Sequence, residues 1–359
     1  MANESMAQGG GTRVIVGVDT HKDVHVARAK DELGRALGEL SIPASSKGYR
    51  ALLAWSRGFG EVRAFGVEGT GCYGAGLARH LRGEGEVVIE VIRPNRQARR
   101  LRGKSDPADA DAAASAVLSG EATGTPKAGD GAVEMIRVLR VARITAVRAG
   151  TQALNALHAL VVTAPGELRE RLQDLSDRKL VRTCAAFRPG AVAGPSEATK
   201  TALRSLARRY IALREEVRAL DQELERLTHE ACPPLLDIFG AGSDTAGALL
   251  LAAGDNAERL RSEAAFAKLC GASPVEASSG KTTRHRLNRG GDRHANAALY
   301  RIVMVRLRWR HQPTMDYVGR RTAEGKSKRE IIRCLKRYVA REVYRALAEG
   351  GSPAPSTSC

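Results

Sequence analysis

Three strand-like segments precede the first helix of this chain, and that order limits the possible folds more than any other feature. Residues 13–19 (RVIVGVD) form an unbroken apolar run rich in Val and Ile, the mark of a buried strand. Residues 24–30 (VHVARAK) and 35–42 alternate in character and predict a second and a third strand. A helix is expected over Ser46–Arg57, capped by Ser45 or Ser46. Then follow a strand at 62–68, a helix at 73–82, a strand at 86–92 and a basic loop, RPNRQARRLRGK. A helix from Asp106 to Leu118 completes the region. Generic α/β folds begin with one strand and a helix, so this order argues against them.

Three strands, a helix and then alternating strands and helices is the order of an RNase H-like (RuvC-like) domain. It is expected over residues 13–125, after a disordered leader at 1–12. The overall class is α/β plus α. Farther on, Leu203, Leu206, Tyr210, Leu213, Val217, Leu220, Leu224 and Leu227 recur at alternating steps of three and four. A seam sustained over about four heptads predicts a coiled coil, although a long helix lying on its own domain gives the same pattern. Pro233 and Pro234 end it, so residues 126–232 are expected to be a helical linker and coiled coil. In IFGAGSDTAGALLLAAGD, Gly240 and Gly242 make a tight turn before an apolar helix. That resembles a helix-hairpin-helix, whose backbone N–H groups hold a phosphate, though such glycines also serve plain turns. A helical, basic C-terminal domain is expected at 233–348, with a disordered tail at 349–359.

Charge narrows the partners. The chain carries 57 Lys and Arg against 40 Asp and Glu, a net charge of +17, and residues 281–345 alone hold 19 of the basic residues and 5 acidic ones. A one-sided excess of this kind is the electrostatic footprint of a polyanion, nucleic acid above all, with a plain solvated surface as the alternative. RIVMVRLRWR (301–310) could mimic a membrane-surface helix, but its spacing suits a core helix contacting phosphates equally well. The longest apolar run, around 246–253, is too short to cross a bilayer. The N-terminus lacks the basic start and apolar core of a secretory signal. Six scattered cysteines, none in a C-x-x-C pair, argue against a disulfide framework and a zinc site. The expectation is a cytoplasmic protein, nucleoid-associated when acting, with no membrane partner.

Four carboxylates stand out by position. Asp19 ends the first strand and Glu68 the fourth, while Asp106 and Asp109 lie three apart at a helix start and share a face. Strand ends and an adjoining helix start converge on one crevice. Clustered carboxylates repel one another unless divalent cations neutralise them, and Mg²⁺ suits oxygen ligands. Two such ions, with Mn²⁺ as a substitute, could stabilise the attacking and leaving oxygens of a phosphodiester displacement. Singly, each acid could be a cap or a surface charge, and Asp106 before Pro107 would make a good N-cap. Asp111 reads as a solvated neighbour. His21 and His25, four apart on strand or loop, do not make a metal pair. GKT at 280–282 is no P-loop, because Val275 stands where the motif needs a glycine. A serine beside Gly280, followed by Lys281, Arg284, His285, Arg286 and Arg289, suits cations that hold a phosphate beside a hydroxyl nucleophile. An ordinary serine turn in a basic loop is the other reading.

VGVDTHKD around Asp19, VEGTGCYG around Glu68 and KSDPADADAAA around Asp106 and Asp109 line up, in order, with a known family. So do FGAGSDTAGALLLAAGD and FAKLCGASPVEASSGKTTRHRLNRGGDRHANAALYR near the C-terminus. The chain resembles the DEDD transposases of bacterial insertion sequences, relatives of the Piv DNA invertase that include bridge-RNA-guided recombinases. The resemblance spans roughly residues 13–120 and 235–345. It implies that Asp19, Glu68, Asp106 and Asp109 hold Mg²⁺. It further implies that a serine of the C-terminal domain attacks DNA and forms a 5′-phosphoserine link. The family's serine immediately precedes the glycine, which points to Ser279, with Ser278 as the alternative. Implied partners are donor and target DNA, a bridge RNA and further copies of the chain, as a dimer of dimers. The basic C-terminal segment and the loop carrying Arg99, Arg100, Arg102 and Lys104 are the expected phosphate contacts, together with Lys281, Arg284, Arg286 and Arg289. One departure is LNRGGDRHANAAL, where relatives more often carry Gly-Asn before the next helix. Two other readings stay open: a RuvC-like nuclease that uses water and no covalent intermediate, and a non-catalytic DNA-binding repressor derived from a transposase.

Overall fold

The computed structural model describes residues 13–92, 105–256, 259–278, 285–286 and 288–350. They fall into two compact units, residues 13–131 with 253–261 and residues 132–252 with 262–350. The first unit contains β1 (Arg13–Thr20), β2 (Val24–Asp31), β3 (Ala36–Pro43), α1 (Ser46–Arg57), β4 (Glu61–Glu68), α2 (Ala75–Gly83), β5 (Val88–Val91) and α3 (Asp106–Leu118). The strands form one sheet in the order β3-β2-β1-β4-β5. The β1–β2 and β2–β3 pairs are antiparallel, and β1–β4 and β4–β5 are parallel. This mixed sheet is compatible with the expected RNase H-like domain. Helix α2 starts later than its apolar pattern suggested, because the backbone of Gly69–Gly74 closes a turn in which Cys72 N and Gly74 N both donate to Gly69 O. Strand β5 is shorter than its apolar run.

Side chains alternate across the strands, so the two faces of the sheet have different jobs. Val14, Val16, Val18, Phe65 and Val67 pack with Leu52 of α1 and with Leu77 and Leu81 of α2. Ile15 and Ala64 lie on the opposite face with Ala113, Ala114 and Val117 of α3. Gly17 and Gly66 pair in register on that second face. A Cβ on Gly17 would stand 2.1 Å from Ala110 O and 2.3 Å from Ala114 N, and one on Gly66 would stand 2.6 Å from Val117 Cγ2. Helix α3 therefore rests against bare strand backbone, which its Ala-rich face also permits. On β2, buried Lys30 donates from Nζ to Asp111 Oδ2 and to Ser115 Oγ, each at 2.8 Å. Asp111 is thus half-buried in an ion pair rather than a solvated neighbour. It stands four residues before Ser115, so both reach the same lysine from one helix face.

The second unit contains α4 (Ala132–Val162), α5 (Gly166–Leu172), α6 (Asp177–Ala185), α7 (Pro195–Ala231), a 3₁₀ turn (Pro233–Leu235) and α8 (Ser243–Ala253). It continues with α9 (Glu263–Leu269), β6 (Val275–Glu276), β7 (His285–Arg286), α10 (Arg293–Arg308), α11 (Gln312–Ala323) and α12 (Lys328–Glu349). The heptad seam lies on α7, and within the chain it meets α4 running the opposite way. Arg143 pairs with Asp221, Gly150 sits beside Tyr210 and Leu213, and Leu157 and Val161 share a core with Leu203. The expectation of an all-helical C-terminal segment needs correcting: β6 and β7 pair antiparallel within it. Two-residue strands are too short to show a period. Gly240 and Gly242 fall in the turn before α8, and the two prolines place a 3₁₀ turn between α7 and that turn. Among the described residues, no helix is long and apolar enough to cross a membrane.

Two predictions follow from the first unit's packing. Gly17→Ala should destabilise it by about 2–4 kcal/mol, read from chemical unfolding, because the new methyl meets helix backbone that has no rotamer to yield. His25 is wholly buried and stacked on Tyr49, with ring centroids 5.8 Å apart, and burial lowers its pKa from the ordinary 6.5. The unfolded chain takes up that proton first. Its share of stability is therefore complete above pH 6.5 and drains away below it. His25→Phe should make the melting temperature less sensitive to acid over that range.

Candidate active site

Asp19 stands two residues after Gly17, and Glu68 two residues after Gly66, so both acids share the α3 side of the sheet. They occupy the next positions of the parallel register that pairs Val18 with Val67. Asp106 and Asp109 fall in the first turn of α3, where Ser105 is the N-cap and the helix dipole favours negative charge. The same contact that seats Ala110 on Gly17 brings this turn to the end of β1. Thr20 Oγ1 donates to the Glu68 carbonyl at 2.8 Å, tying the two acid-bearing strand ends together. Gly69 follows with φ +69, and a Cβ there would lie 3.1 Å from Thr20 Oγ1, so this exit from β4 calls for glycine.

The acids differ in exposure. Asp19 is 7% exposed and Asp109 5%, whereas the Asp106 side chain is half open. His21 joins them from the β1–β2 turn. Its Nε2 lies 3.2 Å from Asp19 Oδ2 and 3.3 Å from Asp106 Oδ1. The Asp19 carboxyl is pushed up from its ordinary value by burial, with the charges of Asp109 and Asp106 adding to the rise and His21 opposing it. An open cleft of about 410 Å³, lined by His21, Lys22, Asp23, Val24, Tyr73 and Asp106, gives access. Ligand atoms of Asp19, His21 and Asp106 all lie within 4.8 Å of one another. A buried carboxylate crowded by like charges, with donors spaced for one ion, fits a divalent cation. Glu68 is half-buried at the neighbouring strand end.

The approach of His21 to the two aspartates and the seat made by the two glycines were not expected from the sequence. The available signal was the repeated Gly-Val-acid triplet, GVD at 17–19 and GVE at 66–68.

The other expected residues are more dispersed. Arg99, Arg100, Arg102, Lys104, Ser279, Lys281 and Arg284 lie outside the described residues. Ser278, Arg286 and Arg289 are exposed on or beside the β6–β7 ladder. Much of the C-terminal positive charge is spent internally. Arg140 and Arg301 hold Asp244, Arg306 holds Glu342 at 2.6 Å and the Phe239 carbonyl at 2.9 Å, and Arg337 and Arg341 hold Glu263. Buried Lys336 donates to Asn296 Oδ1 at 2.9 Å. Arg308, Arg310, Lys326, Lys328, Arg329 and Arg333 stay exposed, and Trp309 is 72% exposed between two of them.

Two family models match, in the order the motifs suggest. A transposase model of the DEDD, IS110 type covers residues 16–164 and so takes in the whole carboxylate site. A second, described as the transposase IS116/IS110/IS902 family, covers residues 232–318. No curated protein matches the chain.

A carboxyl whose folded pKa is raised costs stability while it is charged, and the cost disappears as pH falls through that raised value. Asp19→Asn should therefore raise the melting temperature at neutral pH, with the gain shrinking as the pH is lowered. Millimolar Mn²⁺ or Mg²⁺ should raise the wild-type melting temperature, and the increase should vanish in Asp19→Asn.

Proposed function

The chain belongs to the IS110-type DEDD transposases, which cut and rejoin DNA, and we propose that Asp19, Glu68, Asp106 and Asp109 are the carboxylates that serve this reaction. The observation that carries the reading is the meeting of Asp19 with the first turn of α3, where burial and the two neighbouring aspartates raise its pKa. Divalent ions held there, Mg²⁺ or Mn²⁺ and two in number, would supply positive charge to the scissile phosphate and its leaving oxygen. Asp19 and Asp109 are buried, while half-open Asp106 lines the cleft, which would be the entry for DNA. Thr20 keeps Glu68 at the same level as Asp19.

In the same proposal Ser279, with Ser278 as the alternative, is the nucleophile. Its Oγ forms a bond to the scissile phosphorus and the bond from phosphorus to the 3′ oxygen breaks. The serine proton ends on the 3′-hydroxyl that leaves, and the 5′-phosphate stays on the serine. Attack by a different 3′-hydroxyl reverses the step and joins new partners. Lys281, Arg284, Arg286 and Arg289 would hold the phosphate beside the hydroxyl. Arg99, Arg100, Arg102 and Lys104 would contact the nucleic-acid backbone, together with the exposed C-terminal arginines. Donor and target DNA, a bridge RNA and assembly as a dimer of dimers belong to the same reading. The carboxylate set by itself also supports hydrolysis by water, as in a RuvC-like nuclease.

A trap for covalent adducts separates the two. Protein, co-purifying RNA, Mg²⁺ and supercoiled DNA carrying the element's ends are mixed and then denatured. The expected result is a protein–DNA adduct that maps to Ser279 and is lost in both Ser279→Ala and Asp19→Ala. Cleaved DNA with no adduct, and unchanged cleavage by Ser279→Ala, would establish hydrolysis instead.

A further inference from the structure

We propose that His21 is a nitrogen ligand of the divalent cation, so that the site is a mixed carboxylate–imidazole set rather than one of carboxylates alone. The proposal rests on the carboxylate reading above and adds to it a residue and a metal preference.

His21 is only two residues beyond Asp19, and the turn it begins, closed by His21 N donating to Val24 O at 3.2 Å, folds its ring back over the acid. The ring presents one atom, Nε2, to two carboxylates from different elements, Asp19 of β1 and Asp106 of α3, at 3.2 and 3.3 Å. One N–H shared between two acceptors makes a three-centre bond, weaker to each than a bond aimed at one. A cation between three donors satisfies all of them. Adjacent ligand atoms of an octahedral ion with bonds of about 2.1 Å stand about 3 Å apart, close to both separations here. The ring is half exposed and so has room to settle onto an ion, with its proton carried on Nδ1.

The chemistry then sets a preference. Carboxylates and water suit Mg²⁺, while an imidazole nitrogen favours first-row transition ions in the order of their affinity for nitrogen donors. A site with His21 in its ligand set should prefer Mn²⁺ and Co²⁺ over Mg²⁺ more strongly than the same site without it.

Pulsed electron paramagnetic resonance of Mn²⁺ bound to the full-length protein tests this without reference to DNA chemistry. The expected spectrum carries a ¹⁴N coupling of a directly bound imidazole, which changes to the ¹⁵N pattern in protein labelled at histidine nitrogens. His21→Gln should abolish the coupling and weaken Mn²⁺ binding about tenfold, with less than a threefold change for Mg²⁺ read by competition. His21→Asn serves where the glutamine variant melts early, and the wild-type spectrum needs no variant at all. Mn²⁺ bound in an Asp19-dependent manner without nitrogen coupling, or with a coupling that survives in His21→Gln, overturns the assignment and leaves the carboxylate site standing. Mn²⁺ binding that is absent, or unaltered by Asp19→Asn, overturns the carboxylate site itself.

Discussion

The arrangement of the first unit depends on one steric fact: a helix lies directly on strand backbone. Gly17 and Gly66 are paired across two parallel strands, and both present no side chain to α3. Helix α3 answers with Ala110, Ala113 and Ala114, all fully buried. Because the seat is so shallow, the helix has little freedom to slide, and its first turn is fixed relative to the ends of β1 and β4. Period-two alternation then does the rest. An acid two residues beyond each glycine must emerge on the same face, at the mouth of that seat. The position of four carboxylates thus follows from two absent side chains.

Electrostatics pull the other way. Asp19 and Asp109 are almost entirely buried, Asp106 is close to both, and burial and mutual repulsion raise the Asp19 pKa. No packing argument favours such a cluster. On the same helix, the ion pair of Lys30 with Asp111, backed by Ser115, ties the middle of α3 to β2. Unfavourable charge at one end of α3 and an ion pair one turn later thus sit on the same helix.

The sheet and the acids were legible in the sequence because they write themselves in local pattern. Apolar runs gave the strands, and the positions of Asp19, Glu68, Asp106 and Asp109 at their ends or at a helix start needed only strand order to bring them together. What the sequence did not disclose depended on distant pairs. Asp111 looks solvated until Lys30, far away in the chain, is seen to be buried beneath it. His21 looks like a turn residue until α3 carries Asp106 to its ring. The α7 seam announced an apolar face but not its occupant, which within the chain is α4. A heptad pattern states that a face is covered and says nothing of whether the cover comes from the same chain.

Charge counting misled in the same way. The C-terminal excess looks like one continuous surface for a polyanion, yet the structure divides it. Arg301, Arg306, Arg337 and Arg341 are tied to carboxylates, and Lys336 is buried against an amide. These residues hold α8, α9, α10 and α12 in place and have little charge left for phosphate. The exposed remainder is smaller and better defined. It includes Arg308 and Arg310 on either side of an open Trp309, with Arg310 in the left-handed region at φ 50, a conformation that costs a non-glycine residue about 1 kcal/mol or more. Trp309 thus leaves an open apolar ring between two exposed basic residues of the chain. The net charge of +17 therefore overstates the positive surface left free of internal ion pairs.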